Sequence, residues 1–276
     1  MKIPLLLTAT INPNGMKGAK FAPEERLQMY VEALNFYIDK LSVYSIENGT
    51  QYIVFAENSG FDGGGLVNML KKDPNVVIEY LNIGAEDFKI HLGKGYNEYL
   101  LLQKAIKQSE VIRKCGCFFK LTGRLKVLNI NSLLCECYER NEKIGGGLSF
   151  LADCKDHNVY EWLRMPINGH MGECRYWFAS SVFFEQVIFP KCYQLNDYST
   201  PRFLAEDMMF MVCREARDQR GCFDRFRTQA RISGKGGHHL GKGLSFFYST
   251  DNDSPALRFK CMLRQWLRWL LPNFRV

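Results

Sequence analysis

The sequence predicts an α/β fold in which a mostly parallel central sheet carries helices on both faces. Two observations predict it. Strand-sized apolar runs alternate with segments whose apolar residues recur at helical spacing, giving the order β-α-β-α-β-α-β over the first half. Polar loops at 8–10, 57–59 and 120–124 follow the runs, and ligands of parallel sheets gather at such strand ends. With 276 residues the chain can bury a full core, and no repeat or low-complexity linker divides it.

The elements follow in order. Residues 3–10 read as a strand, closed by the turn-forming string Asn12-Pro13-Asn14-Gly15. Pro23-Glu24-Glu25 opens a helix, with proline in its first turn and acids at the positive end of its dipole. Leu27, Tyr30, Val31, Leu34 and Ile38 supply its buried stripe. Strands are expected over 52–56, 76–81 and 117–121, and helices over 66–72 and 95–109. The second half is less regular, with a strand over 148–152 and a helix over 181–187. Its aromatics, Tyr160, Trp162, Tyr176, Trp177, Phe178, Phe183 and Phe184, are expected to build a pocket.

Composition narrows the class. A 46% hydrophobic and 24% charged chain is an ordinary globular one rather than a disordered one. No stretch approaches the ~20 apolar residues needed to span a bilayer. The opening Met1 to Leu7 is too short, and followed by too polar a string, for an export signal, so it reads as a buried strand. The ten cysteines are expected as reduced thiols. The pairs Cys115/Cys117 and Cys135/Cys137 lie in apolar runs with a spacing zinc rarely uses, so they read as core. The net charge of +7 suits an anionic partner: a nucleotide diphosphate, a membrane surface or nucleic acid.

The most informative strings are Gly93-Lys94-Gly95-Tyr96-Asn97-Glu98 and Phe118-Phe119-Lys120-Leu121-Thr122-Gly123-Arg124. A glycine before a helix lets backbone approach a ligand, and the first amides of the helix favour an anion. Lys120, Thr122 and Arg124 at a strand end offer two cations and a hydroxyl to a departing phosphate. The structural alternative is a helix cap followed by a turn with solvated cations.

With the opening strand, Glu57-Asn58-Ser59-Gly60 and Ala205-Glu206-Asp207, these strings resemble bacterial glycosyltransferases of capsule, lipopolysaccharide and O-antigen synthesis over about residues 3 to 210. The resemblance implies a GT-A-like fold with a Rossmann-like nucleotide-binding half, and a nucleotide-sugar donor as co-substrate. The chain is expected as one domain over 1–255, with a donor half at about 1–130 and an acceptor half at about 131–255, to which the pattern of the tail adds a basic amphipathic helix over 256–276. The resemblance places the donor over Thr8, Thr10, Asn58, Ser59, Lys94, Lys120, Thr122 and Arg124. By the same resemblance Asp207, with Glu206 beside it, is the base that deprotonates an acceptor hydroxyl. The structural alternative is a pair of acids serving the helix dipole.

One departure matters. Where the family commonly carries Asp-x-Asp to hold a divalent cation, this chain has Lys120-Leu121-Thr122-Gly123-Arg124. A carboxylate pair suits magnesium or manganese and two cations do not, so metal independence is the favoured expectation. Asp153 and Asp156 are the alternative metal ligands, against a plain solvated turn.

Ser233 to Gly243 contains five glycines and reads as a cationic lid, with Lys235, His238 and His239 offered to phosphate, or as a mobile connector. In the tail, Lys260, Arg264 and Arg268 recur every four residues beside Trp266 and an apolar stripe. That pattern suits an anionic membrane surface, and docking on the protein's own core explains the stripe as well.

The combined expectation is transfer of a sugar from a nucleotide sugar to a hydroxyl of a surface-polysaccharide glycan or lipid-linked glycan. Its location is the cytoplasm, with the tail adding the option of a peripheral position on the inner face of the cytoplasmic membrane. The alternatives are a nucleotidyltransferase acting on sugar phosphates and a basic nucleic-acid-binding protein. The first lacks the expected glycine-rich loop after the first strand. The second is disfavoured because the cations cluster in tail and loops, away from exposed aromatics.

Overall fold

A computed structural model describes residues 1–13, 21–84, 86–166, 168–240, 244–248, 255–271 and 275, with backbone alone at 237–240, 244–248, 256–258 and 260. The first half runs β1 (Leu5–Ala9), α1 (Pro23–Asn48), β2 (Gln51–Glu57), α2 (Gly63–Asn68), β3 (Val76–Asn82), α3 (Lys94–Gln108), α4 (Glu110–Cys115) and β4 (Cys117–Thr122). Then come β5 (Lys126–Val127), α5 (Ile130–Lys143), β6 (Phe150–Leu151), β7 (Cys154–Asp156), α6 (Val159–Trp162) and β8 (His170–Gly172). The chain closes with β9 (Tyr176–Ser180), α7 (Ser181–Phe183), α8 (Ala205–Ala216), β10 (Cys222–Phe223), β11 (Ile232–Leu240), β12 (Leu244–Tyr248) and α9 (Pro255–Leu270).

The central sheet has the strand order β10-β6-β9-β4-β1-β2-β3. β4, β1, β2 and β3 are mutually parallel, β6 and β10 parallel each other, and β9 alone runs antiparallel to its neighbours β4 and β6. The sheet is therefore mostly parallel and draws strands from both halves of the sequence. One face packs on α1 and α5 through Leu5, Leu7, Phe55, Tyr37, Leu41 and Leu134. The other packs on α3, α4 and α8 through Leu6, Val54, Phe118, Leu102, Ile112 and Met208. Each such fully covered side chain contributes ~1.5–3 kcal/mol through burial, which is what holds the helices on both faces. Cys117 and Cys137 fill the first of these cores, and burial pushes the Cys117 thiol up to about 12.

Some expectations change. The aromatics of 176–184 do not line a pocket: Tyr176, Trp177, Phe178, Phe183 and Phe184 are buried. Trp177 stacks on both Tyr99 and Phe184, at 6.5 and 6.1 Å between ring centroids. The run is apolar because β9 is an interior strand covered on both sides. The helix expected over 181–187 keeps one α turn and widens into a π turn, then a 3-10 turn that contains Pro190. A proline cannot donate to the preceding turn, so regular α-helix does not pass it. Helix α5, unexpected from the pattern, hides its period because Glu136 and Arg140 also face inward. They pair at 2.7 Å, and Glu136 accepts the Arg227 and Thr228 amides.

The glycine-rich segment is not a loose loop over its whole length. Its first part is β11, which pairs with β5 and β12, while 241–243 lie outside the described residues. The tail corrects one expectation more sharply. Arg268 does not face outward: it is buried, with its Nη atoms 2.8 and 3.0 Å from the Asp153 carboxylate. It also donates to the Phe226 carbonyl and to Gln229 Oε1. Gln265 adds bonds with the Gln229 amide and the Arg227 carbonyl, so α9 docks by its polar side. Its apolar side is left in water, with Trp266 62% and Trp269 82% exposed beside Phe259, Leu263 and Leu270. Arg264 is half-buried, and the Lys260 side chain lies outside the described residues. Among the described residues no helix is long and apolar enough to cross a membrane.

Candidate functional site

The site assembles where β1, β2 and β4 end. Glu57, the last residue of β2, is fully buried and organises this edge. Its carboxylate accepts the amides of Ile11, Ser59 and Phe61 and the Ser59 hydroxyl, fixing the loops after β1 and β2. Ser59 is thereby occupied within the fold, and its Oγ also accepts the Asn12 amide. Asn58 is 4% exposed, and its Oδ1 has no partner among the described residues.

After β4 the chain turns directly over the end of β1. The Gly123 amide donates to the Thr8 carbonyl, and a Cβ at Gly123 would meet that oxygen at 2.6 Å. Only glycine permits this approach. The turn delivers Arg124, half-buried, whose Nε donates to the Lys235 carbonyl at 3.4 Å. Lys235 lies on β11 and pairs with Glu25, 3.2 Å away. The side chains of His238 and His239, on the same strand, lie outside the described residues.

Two further cations meet Arg124. Arg26, in the first turn of α1, is 7% exposed and donates from Nε to the Thr10 carbonyl at 2.6 Å. Thr10 is held further by its amide, which donates to the Tyr30 hydroxyl. Lys94, the first residue of α3, has its pKa lowered by burial, then by the charges of Arg124 and Arg26, against the opposing pull of Asp197. Arg26, Lys94 and Arg124 therefore form a cluster of like charge at the carboxyl edge. The α3 N-terminus itself is not open to an anion. Asp197 Oδ2 accepts the Lys94 amide at 2.6 Å and the Gly95 amide at 3.4 Å, so a carboxylate of the chain already takes that place.

Lys120 differs from its expected role. It is 1% exposed, and its ammonium has three donors. These go to Glu98 Oε1 at 2.8 Å, to the Cys174 carbonyl and to Thr122 Oγ1 at 3.4 Å. No donor remains for a phosphate, and Thr122 is part of the same arrangement. Glu98 also accepts from the Thr8 hydroxyl at 2.9 Å, so the one hydroxyl proton of Thr8 is engaged within the fold. Burial pushes the Glu98 carboxyl up, but Lys120, Thr8 and Arg124 outweigh it and hold the group below its ordinary value.

Beside this pair sit two more carboxylates. Glu206, half-buried at the start of α8, has its pKa raised by burial, then by the charges of Glu173, Glu98 and Asp207. Glu173 is held by Arg175, which donates from Nε at 2.6 Å. Asp207 turns the other way: its Oδ2 accepts the Leu204 amide at 2.9 Å and caps α8. Glu206 therefore carries a raised pKa with its carboxylate not used as a helix cap, while Asp207 serves its own helix. Asp153 is engaged by Arg268, Tyr176 and the Phe226 amide, and Asp156 by Arg217 and His170. Both alternative metal ligands are thus ion-pair partners within the fold. Among the described residues no cluster of three or more His, Cys, Asp or Glu side chains is arranged to hold a metal.

Arg26, Lys94 and Arg124 gather at the carboxyl edge, Glu98 and Glu206 stand on α3 and α8 with Glu173 after β8, and Glu98 feels Arg124 as well as Lys120. Sequence reasoning passed over Arg26, which looked like a helix-surface residue after two acids, and Glu98 and Glu173, which carried no motif. Only Glu98 lay within a string already singled out.

No protein-family model matches the chain, and no curated protein matches it. Solved structures of similar backbone course include mouse xyloside xylosyltransferase 1, at 13% identity and TM-score 0.43 over 82% of this chain and 85% of that one. The WbbM bifunctional glycosyltransferase follows at 14% identity and TM-score 0.42 over 76% of this chain, which spans 37% of that structure. An active-site mutant of LgtC gives 11% identity and TM-score 0.41 over 80% of this chain and 72% of that one. At such identities the likeness concerns the path of the backbone alone.

Proposed function

We propose that this chain is a glycosyltransferase that moves a sugar from a nucleotide-sugar donor to a hydroxyl of a glycan acceptor. The observation that carries the reading is the gathering of Arg26, Lys94 and Arg124 at the carboxyl edge, with Glu206 as a half-buried carboxylate of raised pKa. Cleavage of a sugar–phosphate bond builds negative charge on the leaving diphosphate and positive charge on the anomeric carbon. Preorganised groups of opposite sign at those two places lower the barrier.

In this reading the diphosphate lies against Lys94 and Arg124, with Arg26 behind them. Glu206 takes the proton of the acceptor hydroxyl as its oxygen attacks the anomeric carbon. The carbon–oxygen bond to the diphosphate breaks, and its electron pair leaves with the nucleotide. Such a single displacement inverts the anomeric centre. The raised pKa of Glu206 makes it a stronger base than an ordinary carboxylate. Side-chain cations take the place of a divalent metal on the leaving group.

The finer parts of the reading are a surface-polysaccharide acceptor of the capsule, lipopolysaccharide or O-antigen kind and a peripheral position on the cytoplasmic membrane. Support for the second is the exposed Trp266–Trp269 face of α9, which an anionic lipid surface would cover. Flotation with anionic vesicles tests it: Trp266→Ser with Trp269→Ser should leave the protein in the pellet fraction while the melting temperature holds. Equal flotation of the variant would remove α9 from any membrane role.

The central test is a nucleotide-sugar panel with hydrolysis, the water reaction of such enzymes, as the readout. Release of nucleoside diphosphate from one donor, persisting in excess chelator, is expected. Inactivity with every nucleotide sugar, together with pyrophosphate release from a nucleoside triphosphate and a sugar phosphate, would assign the chain to the nucleotidyltransferases instead.

A further inference from the structure

A cavity lies beside the β7–β8 hairpin and shares no lining residue with the site at the carboxyl edge. It is a cleft of about 570 Å³ lined by Asp156, Asn158, Trp162, His170 and Arg275, among others. We infer that this cleft binds a neutral sugar unit of the acceptor glycan; the inference rests on the transferase reading only for the word acceptor.

Trp162 is the first reason. It ends the single-turn helix α6 and is 83% exposed, though an indole on a short surface helix gains nothing from standing in water. Its ring supplies a flat apolar plate in the wall of the cleft, the kind of surface that the C–H face of a pyranose covers. The polar groups supply the second reason. His170 is fixed between Asp156 and Asn158, with its Nδ1 3.2 Å from Asp156 Oδ1 and its Nε2 2.8 Å from Asn158 Oδ1. Such a chain presents both donors and acceptors at set positions. Recognition sites combine apolar wall and a few placed polar groups in this way.

Charge decides the class of ligand. Asp156 is paired with Arg217 at 2.7 Å, and Arg275 with Asp224, so the ionic groups of the cleft are neutralised within the fold. An anion such as a phosphate would have to displace a carboxylate to reach a cation. A purely apolar ligand would bury Asp156, Asn158 and His170 without gain. An uncharged polyol satisfies plate and polar atoms together.

Position ties the cleft to the chemistry. β8 runs from His170 in the cleft to Gly172, and Glu173 follows, a path of ~10 Å at strand rise. Along α8 the His170 ring packs on Phe210, four residues beyond Glu206, or ~6 Å along the helix axis. A short oligosaccharide bridges that separation.

The test uses the full chain and saturation-transfer difference NMR with lactose, maltotriose and chitotriose. Saturation of at least one of them is expected in the wild type. Trp162→Ala should abolish it, Trp162→Phe should keep most of it, and Asn158→Ala should weaken it several-fold. Because Trp162 is exposed, the melting temperature should not move. Absence of saturation with all three sugars, or equal saturation in Trp162→Ala, overturns the inference. Donor hydrolysis, measured in parallel, separates the two readings: it should be unchanged in Trp162→Ala. Sugar binding by a wild type that hydrolyses no donor would sink the transferase reading and leave the cleft's ligand class standing.

Discussion

Lys120 Nζ lies 2.8 Å from Glu98 Oε1 inside the sheet, joining β4 to α3 beneath the edge where β1 ends. The pair fixes which cations face outward, because a lysine with all its donors used inside cannot also hold a ligand.

Replacing Lys120 by methionine should therefore cost stability first. It leaves Glu98 without its partner, and Glu98 keeps some contact with water, so a loss of about 3 kcal/mol is expected, at the low end for a broken buried pair. For a chain of this size that is roughly 6–10 °C in the melting temperature. A Lys120→Met protein that melts like the wild type but binds donor poorly would restore Lys120 to the phosphate.

Glu206 and Asp207 should separate cleanly. Glu206→Gln should lower kcat by ~10²–10⁴, the usual worth of a general base, with donor affinity nearly unchanged. Asp207→Asn should keep turnover and lose at most ~1 kcal/mol of stability, since it loosens a helix cap. The acid limb of the pH–rate profile should lie above the ordinary carboxylate range, because the base works only when deprotonated and its pKa is raised. Turnover surviving Glu206→Gln would move the proton transfer elsewhere.

Lys94→Ala and Arg124→Ala should each weaken donor binding about tenfold or more, as loss of a charged hydrogen bond does. Lys94 adds a pH signature. Its pKa is lowered in the unliganded protein, and a diphosphate favours the charged form. Donor affinity should fall as pH rises through that lowered value, before an ordinary lysine would titrate, and the alkaline loss should vanish in Lys94→Ala. Calorimetric titration across the pH series checks both points.

Arg225 offers a stability test outside the site. It is 8% exposed, its Nη1 has no partner among the described residues, and burial with the charge of Arg268 pushes its pKa down to about 10. A guanidinium taken out of water beside another cation weakens the fold, because its desolvation is only partly repaid. Arg225→Met should raise the melting temperature at neutral pH by roughly 3–6 °C, the equivalent of about 1–2 kcal/mol. A lower melting temperature would show that the guanidinium is worth more than its desolvation costs.

The sequence by itself determined the layers. Apolar runs of strand length and helix-period segments are local signals, so β1, β2, β3, β4, α1 and α3 were legible in order, and with them the edge where Arg124 and Lys94 stand. Which polar side chain faces inward is decided by partners distant in the chain. Lys120 turns in because Glu98 and the Cys174 carbonyl receive it, Asp207 because the Leu204 amide does, and Arg268 because Asp153 is buried opposite. Burying a charge is tolerable only where an opposite charge or a hydrogen-bond partner meets it, and only the tertiary structure supplies that partner.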